Sequence, residues 1–237
     1  MLENILDTFK VFLLINLIAF SYIGYGFLLL KIFNYKSSKL NIGYIGIAGC
    51  FLLILLSYLT IFITPHNSLH NIIVIICGLL ILMMNYKVIG IDKFRQISIL
   101  ILLTFSFFLI SKTHDDFSYY HLPYALNLSE NKIQFGLGHL NLAFRHHSSI
   151  LFLNSLTFLP DIKYYLFNLP NYLVYIFVNL VLVEEVIKKN NQNFLKIFSL
   201  FFLILINTKF TRLSEYGTDI AGQLILIILF LNLIKFF

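Results

Sequence analysis

Apolar residues run along this chain in long blocks rather than in strict alternation, and polar residues gather in the stretches between them. Blocks of that kind predict membrane-crossing helices. Roughly 20 apolar residues, at ~1.5 Å rise each, cover a hydrocarbon core of ~30 Å. Seven apolar blocks are read as spans, at about residues 9–30, 40–63, 72–84, 97–110, 164–183, 194–210 and from 220 onward, the third and fourth being the shorter ones. A transmembrane β-barrel would alternate apolar and polar positions instead. Residues 148–159 are also apolar but short, which predicts a re-entrant or interfacial helix that does not cross.

The longest polar stretch, 111–147, lies between the fourth and fifth blocks. Within it Pro123 suits a first helical turn. Leu122, Ala125 and Leu126 share one face of that helix, which predicts that it lies on the bilayer surface. The predicted fold class is therefore all-α: one polytopic transmembrane domain over 1–237 with about seven spans. Residues 111–163 form an extracytoplasmic loop carrying interfacial or re-entrant helices. The last block is barely complete at Lys235-Phe236-Phe237, so the chain reads as the N-terminal part of a longer protein.

Composition narrows the class. The 237 residues are 59% hydrophobic and only 12% charged, with a mean hydropathy of +0.87. A soluble domain is about half apolar and a quarter charged, so soluble, disordered and disulfide-scaffold classes are excluded. Cys50 and Cys77 sit inside apolar blocks and read as small apolar residues. Asn16, Asn179 and Asn207 inside blocks predict interhelical hydrogen bonds.

The net charge of +6 does not point to nucleic acid, because the basic residues lie between apolar blocks. There they set orientation. Three groups should be cytoplasmic: Lys31, Lys36, Lys39; Lys87, Lys93, Arg95; and Lys188, Lys189, Lys196. The scheme closes if the N-terminus is outside and 148–159 does not cross. Residues 111–147 and 211–219 then share the outer face, with all seven histidines. Glu3 and Asp7 before the first block argue against a signal peptide, whose start is basic.

Three polar clusters on that face could carry chemistry. The first is His114-Asp115-Asp116-Phe117-Ser118-Tyr119-Tyr120-His121. A carboxylate there could take a proton from a hydroxyl acceptor, or hold a divalent cation with a second acid. It could equally start a solvated helix with Asp116 or Ser118 as N-cap. The second cluster runs from Gly136-Leu137-Gly138-His139 to Arg145-His146-His147-Ser148-Ser149. Its glycines allow a tight turn or a close backbone approach. Arg145 could clamp a phosphate, with His146 and His147 as further donors, or simply snorkel from an interfacial loop. The third is Arg212-Leu213-Ser214-Glu215-Tyr216-Gly217-Thr218-Asp219, where Asp219 borders an apolar run. A charge at membrane depth is costly and so usually has a use. A helix cap at Thr218 or Asp219 is the other reading.

These runs resemble the GT-C superfamily, integral-membrane glycosyltransferases that use polyprenyl-phosphate-linked sugars. Asp115 to Leu122 looks like their acidic loop motif. Gly136 to Ser149 looks like the pattern that follows it in a bacterial GT-C-like branch. Glu215-Tyr216-Gly217-Thr218-Asp219 looks like its second acidic motif. The resemblance covers about 114–149 and 211–222. It implies Asp116 or Asp115 as catalytic base, the spacing to Tyr120-His121-Leu122 pointing to Asp116 and the acidic-pair pattern to Asp115. It further implies Asp219 as the second acid, and His121, Tyr120, Arg145, His146, His147 and Glu215 on the substrate side. The cofactor stays open, a divalent cation being one option.

The implied partners are a polyprenyl-phosphate sugar donor, the lipid bilayer, and a glycan, lipid or protein acceptor. The implied location is a bacterial inner membrane with the active face outside. An O-antigen ligase- or polymerase-like protein, a transporter or flippase, and a membrane scaffold are the alternatives. A transporter would carry ionisable residues in mid-span, where few occur here.

Overall fold

The computed structural model describes every residue except Met1, 36–39, 87–89, 111–113, 146–147, 189–191 and Phe237, with side chains from Asp7 onward. Lys36, Lys39, Lys87, Lys189, His146 and His147 therefore lie outside the described residues.

Each of the seven apolar blocks forms a helix. They are α1 (Leu2–Ile32), α2 (Ile42–Thr60), α3 (Ser68–Met84) and α4 (Ile91–Leu109), then α8 (Leu169–Ile187), α9 (Asn193–Thr208) and α10 (Asp219–Phe236). Between α4 and α8 lie three short helices: α5 (Leu122–Glu130), α6 (Leu137–Leu140) and α7 (Ser149–Ser155). Local signals set the starts. Asn41 caps α2 by accepting from Gly43 N, Asn67 caps α3 by accepting from His70 N, and Pro170 sits in the first turn of α8.

Among the described residues four helical stretches are long and apolar enough to cross a membrane: Asp7–Ile32, Ile42–Thr60, Tyr164–Ile187 and Asp219–Phe236. The other three fall short of the seven-span expectation for identifiable reasons. α3 and α9 have 17 and 16 residues, about 25 Å of helix against a core of ~30 Å. α4 begins with Asp92, Lys93 and Arg95. The seven-residue α7 is only about 10 Å long, short of a core of ~30 Å.

The chain alternates direction through this bundle. Phe12 pairs with Phe105 and Phe20 with Phe94, which sets α1 and α4 antiparallel. One end of the bundle joins Lys235 to Glu185 at 2.6 Å, Asn41 to Glu184 at 2.6 Å and Tyr44 to Asn232 at 2.8 Å. The other end gathers 61–67, 114–163 and 209–218.

Helix α8 is the centre of the core. The span containing it is 94% buried. α2 meets it through Gly43 and Gly46, where any Cβ would overlap Phe177. Small residues permit such close approach where no water drives helices together. α4 meets α8 at Thr104 and Tyr172, whose hydroxyls lie 2.8 Å apart. α9 meets it at Asn207, which donates to Asn179 Oδ1 at 2.9 Å and accepts from Tyr175. Asn179 and Asn207 thus make the interhelical bonds expected of them. Asn16 does not: its amide donates within α1 to Phe12 O at 2.9 Å, the nearest carbonyl, one turn back.

The connection 61–67 is pinned to the 114–163 region. His66 N donates to Leu128 O at 2.8 Å and Ile133 N to Ile61 O at 3.2 Å. Asn71 Nδ2 reaches the carbonyls of His66, Ser155 and Phe158 at 2.8–2.9 Å. The His66 ring is fully buried. Its Nε2 lies 3.2 Å from Ser57 O and its Nδ1 2.7 Å from Ser155 Oγ. A carbonyl only accepts, so Nε2 carries the proton.

Burial, and secondly the stacked His70 ring, push the His66 pKa down to about 4. Unfolded, the ring protonates near pH 6.5; folded, near 4. Its contribution is complete above about pH 6.5 and is lost as pH falls through about 4, by up to about 3 kcal/mol. The unfolding midpoint in micelles is expected to drop between about pH 6.5 and 4, and His66→Gln to flatten that slope. An unchanged slope in the variant would reject His66 as its source.

Candidate functional site

Helical backbone begins at Asp115-Asp116 and widens into a π-helical turn, Phe117–His121, before α5. Pro123 offers no N–H to the turn before it, and Leu122 N bonds instead to Phe117 O. Such one-turn widenings re-aim side chains and recur at functional sites. Asp116 has helical dihedrals and makes no side-chain capping bond, so the N-cap reading of Asp116 is not met.

The π turn directs Tyr120 and His121 at the third cluster. Phe117 lies on Tyr216, with ring centroids 4.4 Å apart. Asn171 of α8 holds Gly217 O at 2.7 Å. Asp219 is the first residue of α10, where the positive helix end favours a carboxylate. Its Oδ1 accepts from Thr218 Oγ1 at 3.3 Å.

Two cavities result. The smaller, about 160 Å³, is lined by His114, Asp116, Tyr120, His121, Arg212 and Glu215, and by Gly217 to Ile220. The larger, about 890 Å³, is lined by Tyr120, Arg145, Ser148, Thr218, Asp219, Gly222, Gln223 and Leu226. Tyr120, Thr218 and Asp219 belong to both.

Sequence and structure can be matched residue by residue. Asp116, Tyr120, His121, Arg145, Glu215 and Asp219 converge on these cavities although up to about a hundred residues separate them. Asp115 does not: it is exposed and lines neither cavity, so the acidic pair is split and Asp116 alone faces the pocket. His146 and His147 lie outside the described residues. Gly136 takes φ +86°, while Gly138 lets the Arg145 side chain lie against it. There Arg145 Nε donates to Gly138 O at 3.1 Å. The two glycines thus serve the two purposes expected of them.

Sequence reading missed Gln223, Arg212 as a cavity residue, and Ser148. Gln223 stands four residues after Asp219 on α10, and that i, i+4 spacing was the available signal.

His121 stands out electrostatically. It is 4% exposed, yet among the described residues neither ring nitrogen has a hydrogen-bond partner. Buried polar groups are nearly always paired, so an orphan at a cavity wall is open to a partner from the cavity, water or ligand. Burial, with His114 adding to it, lowers the His121 pKa against the opposing pull of Asp116 and Asp219. The ring is therefore neutral at pH 7 and can both donate and accept. Burial, then the carboxylates of Asp116 and Asp219, raise the Tyr120 pKa and keep its hydroxyl protonated. His114 Nδ1 approaches Asp116 Oδ2 at 3.5 Å. Among the described residues no three His, Cys, Asp or Glu side chains group as a metal site. The cation that the acidic pair suggested has no built donor set among them.

No protein-family model, no curated protein and no solved structure matches this chain.

His121→Phe removes two unpartnered buried nitrogens at similar volume. It is expected to keep or raise the unfolding midpoint, since an orphaned buried polar group costs about 1–3 kcal/mol. A lower midpoint would show that His121 serves the fold rather than a ligand.

Proposed function

We propose that this chain is a membrane glycosyltransferase of the GT-C kind. It moves a sugar from a polyprenyl-phosphate-linked donor to an acceptor hydroxyl at the extracytoplasmic face of a bacterial inner membrane, in cell-surface glycan assembly. The observation that carries the reading is the orphaned His121 beside Asp116 and Asp219 at one end of the bundle. The same end is free of the basic residues Lys31, Lys93, Arg95, Lys188 and Lys196, which by the positive-inside rule face the cytoplasm.

The chemistry assigns each group a task. Asp116, half-buried in the small pocket, takes the proton of the acceptor hydroxyl. The oxygen attacks the anomeric carbon as the bond from that carbon to the donor phosphate oxygen breaks. The phosphate leaves with the electron pair, and configuration inverts. His121 and Tyr120 hold sugar hydroxyls, one as neutral donor and acceptor, the other as a protonated hydroxyl. Asp219 orients the acceptor or sugar from the shared wall. Arg145 and Arg212 place positive charge where the leaving phosphate develops negative charge. Glu215 lies beside Arg212 in the same pocket. The acceptor is a glycan, lipid or protein hydroxyl, and nucleic acid has no part in the reading.

The transporter reading is weaker on this geometry. Among the described residues, every Asp, Glu, Lys, Arg and His of α2 to α4 and α8 to α10 lies within about one turn of a helix end, and in α1 Lys10 is the furthest in, about two turns from its start, whereas carriers place ionisable groups at mid-membrane.

Asp116→Asn is expected to cut sugar transfer in reconstituted vesicles by at least about a hundredfold, the usual weight of a general base. Asp219→Asn should lower it as well, both proteins inserting normally. Full transfer by both variants would remove their proposed roles.

The orientation has a separate test. Asp116→Cys and Asp219→Cys, each in a background without Cys50 and Cys77, should both react with a membrane-impermeant thiol reagent from outside. Labelling from opposite faces would rule out a common site.

A further inference from the structure

A third cavity, about 240 Å³, opens between α9 and α10. Its walls are apolar, with Phe202, Leu205 and Ile206 on α9 and Leu224 and Ile227 on α10. It is smaller than the about 300–1,000 Å³ that encloses a drug-sized molecule, and suits a single chain. Phe201 and Ile204 of α9 and Leu226 and Leu229 of α10 are exposed large apolar residues on these two helices, the surface expected beside lipid.

Two cations stand at its rim, Lys209 and Arg212. Among the described residues neither side chain has an ion-pair or hydrogen-bond partner. Lys209 ends α9 and would suit the carbonyl end of that helix by itself. Arg212 lies beyond the helix, in the 3₁₀ segment Phe210–Glu215, and has no such explanation. It also lines the pocket of Asp116, His121 and Asp219. Gln223 and Leu226 join the groove to the 890 Å³ cavity. An apolar slot thus leads to a cationic rim, and the rim leads to the acidic pocket.

We propose that the α9–α10 groove holds the first hydrocarbon units of a single-chain lipid phosphate, with the phosphate between Lys209 and Arg212 and the headgroup in the pocket of Asp116, His121 and Asp219. The sugar on that headgroup rests on the glycosyltransferase reading; the lipid and phosphate positions rest on the groove and its two cations. Charge complementarity selects the phosphate. The apolar walls on the bilayer side select a lipid source over a free anion.

Photolabelling tests this on the full chain in micelles, with farnesyl phosphate carrying a diazirine as probe. Adducts are expected on α9 and α10 within 202–227. Combining Lys209→Gln and Arg212→Gln should weaken labelling by at least about tenfold, the weight of a charge-assisted hydrogen bond. Ile227→Trp, which fills the slot without touching charge, should do the same at an unchanged unfolding midpoint. Excess inorganic phosphate should not compete, and farnesol carrying the same diazirine should label poorly.

Adducts elsewhere, none at all, or undiminished labelling in the double variant would overturn the proposal. So would full competition by inorganic phosphate, which would make the rim a free-anion site. Labelling in the groove together with an inactive wild-type protein would keep the lipid site and discard sugar transfer. Sugar transfer without groove labelling would do the reverse.

Discussion

Helix α8 is apolar on nearly every side, and such a helix is stable only when covered on every side. Its residues from Leu169 to Leu182 are all buried. That demand places α2, α4, α9 and α10 around it. Where a polar group falls inside, a neighbour answers it: Thr104 for Tyr172, and Asn207 for Asn179 and Tyr175. These bonds fix the rotation of α4 and α9 about α8, and Lys235 of α10 is paired with Glu185 of α8 at the other end.

The far side of the bundle is fastened by a different device. Asn71 ties three carbonyls with one amide group, and His66 bonds to α2 and to α7. Together they draw the loop after α2 under the 114–163 region. That region buries α7 from Ile150 to Ser155 and lays Tyr124 and Leu128 of α5 on the core. The loop is long, but it is a packed layer on one end of the helices.

Charge is distributed accordingly. The end away from the site carries the buried Glu185 paired with Lys235, a closed arrangement. The site end carries carboxylates, neutral His121 and the exposed cations Lys209 and Arg212 around connected cavities. A buried histidine with no partner among the described residues costs stability if nothing binds.

Hydropathy alone determined the class, the seven helices and their approximate limits, because burial in lipid or core leaves long uninterrupted apolar runs. The brevity of 148–159 agrees with the seven-residue α7 found there, and the polar clusters named most of the residues that meet. The sequence could not separate Asp116 from Asp115. Adjacent residues on a helical turn point about 100° apart, and only the position of Phe117 against Tyr216 decides which one faces Asp219. Nor could it show that His121 is orphaned, that Arg212 stands between an apolar slot and an acidic pocket, or that Asn16 bonds within its own helix. Those are relations between distant segments, set by how α8 is covered, and hydropathy along one strand of sequence carries no record of them.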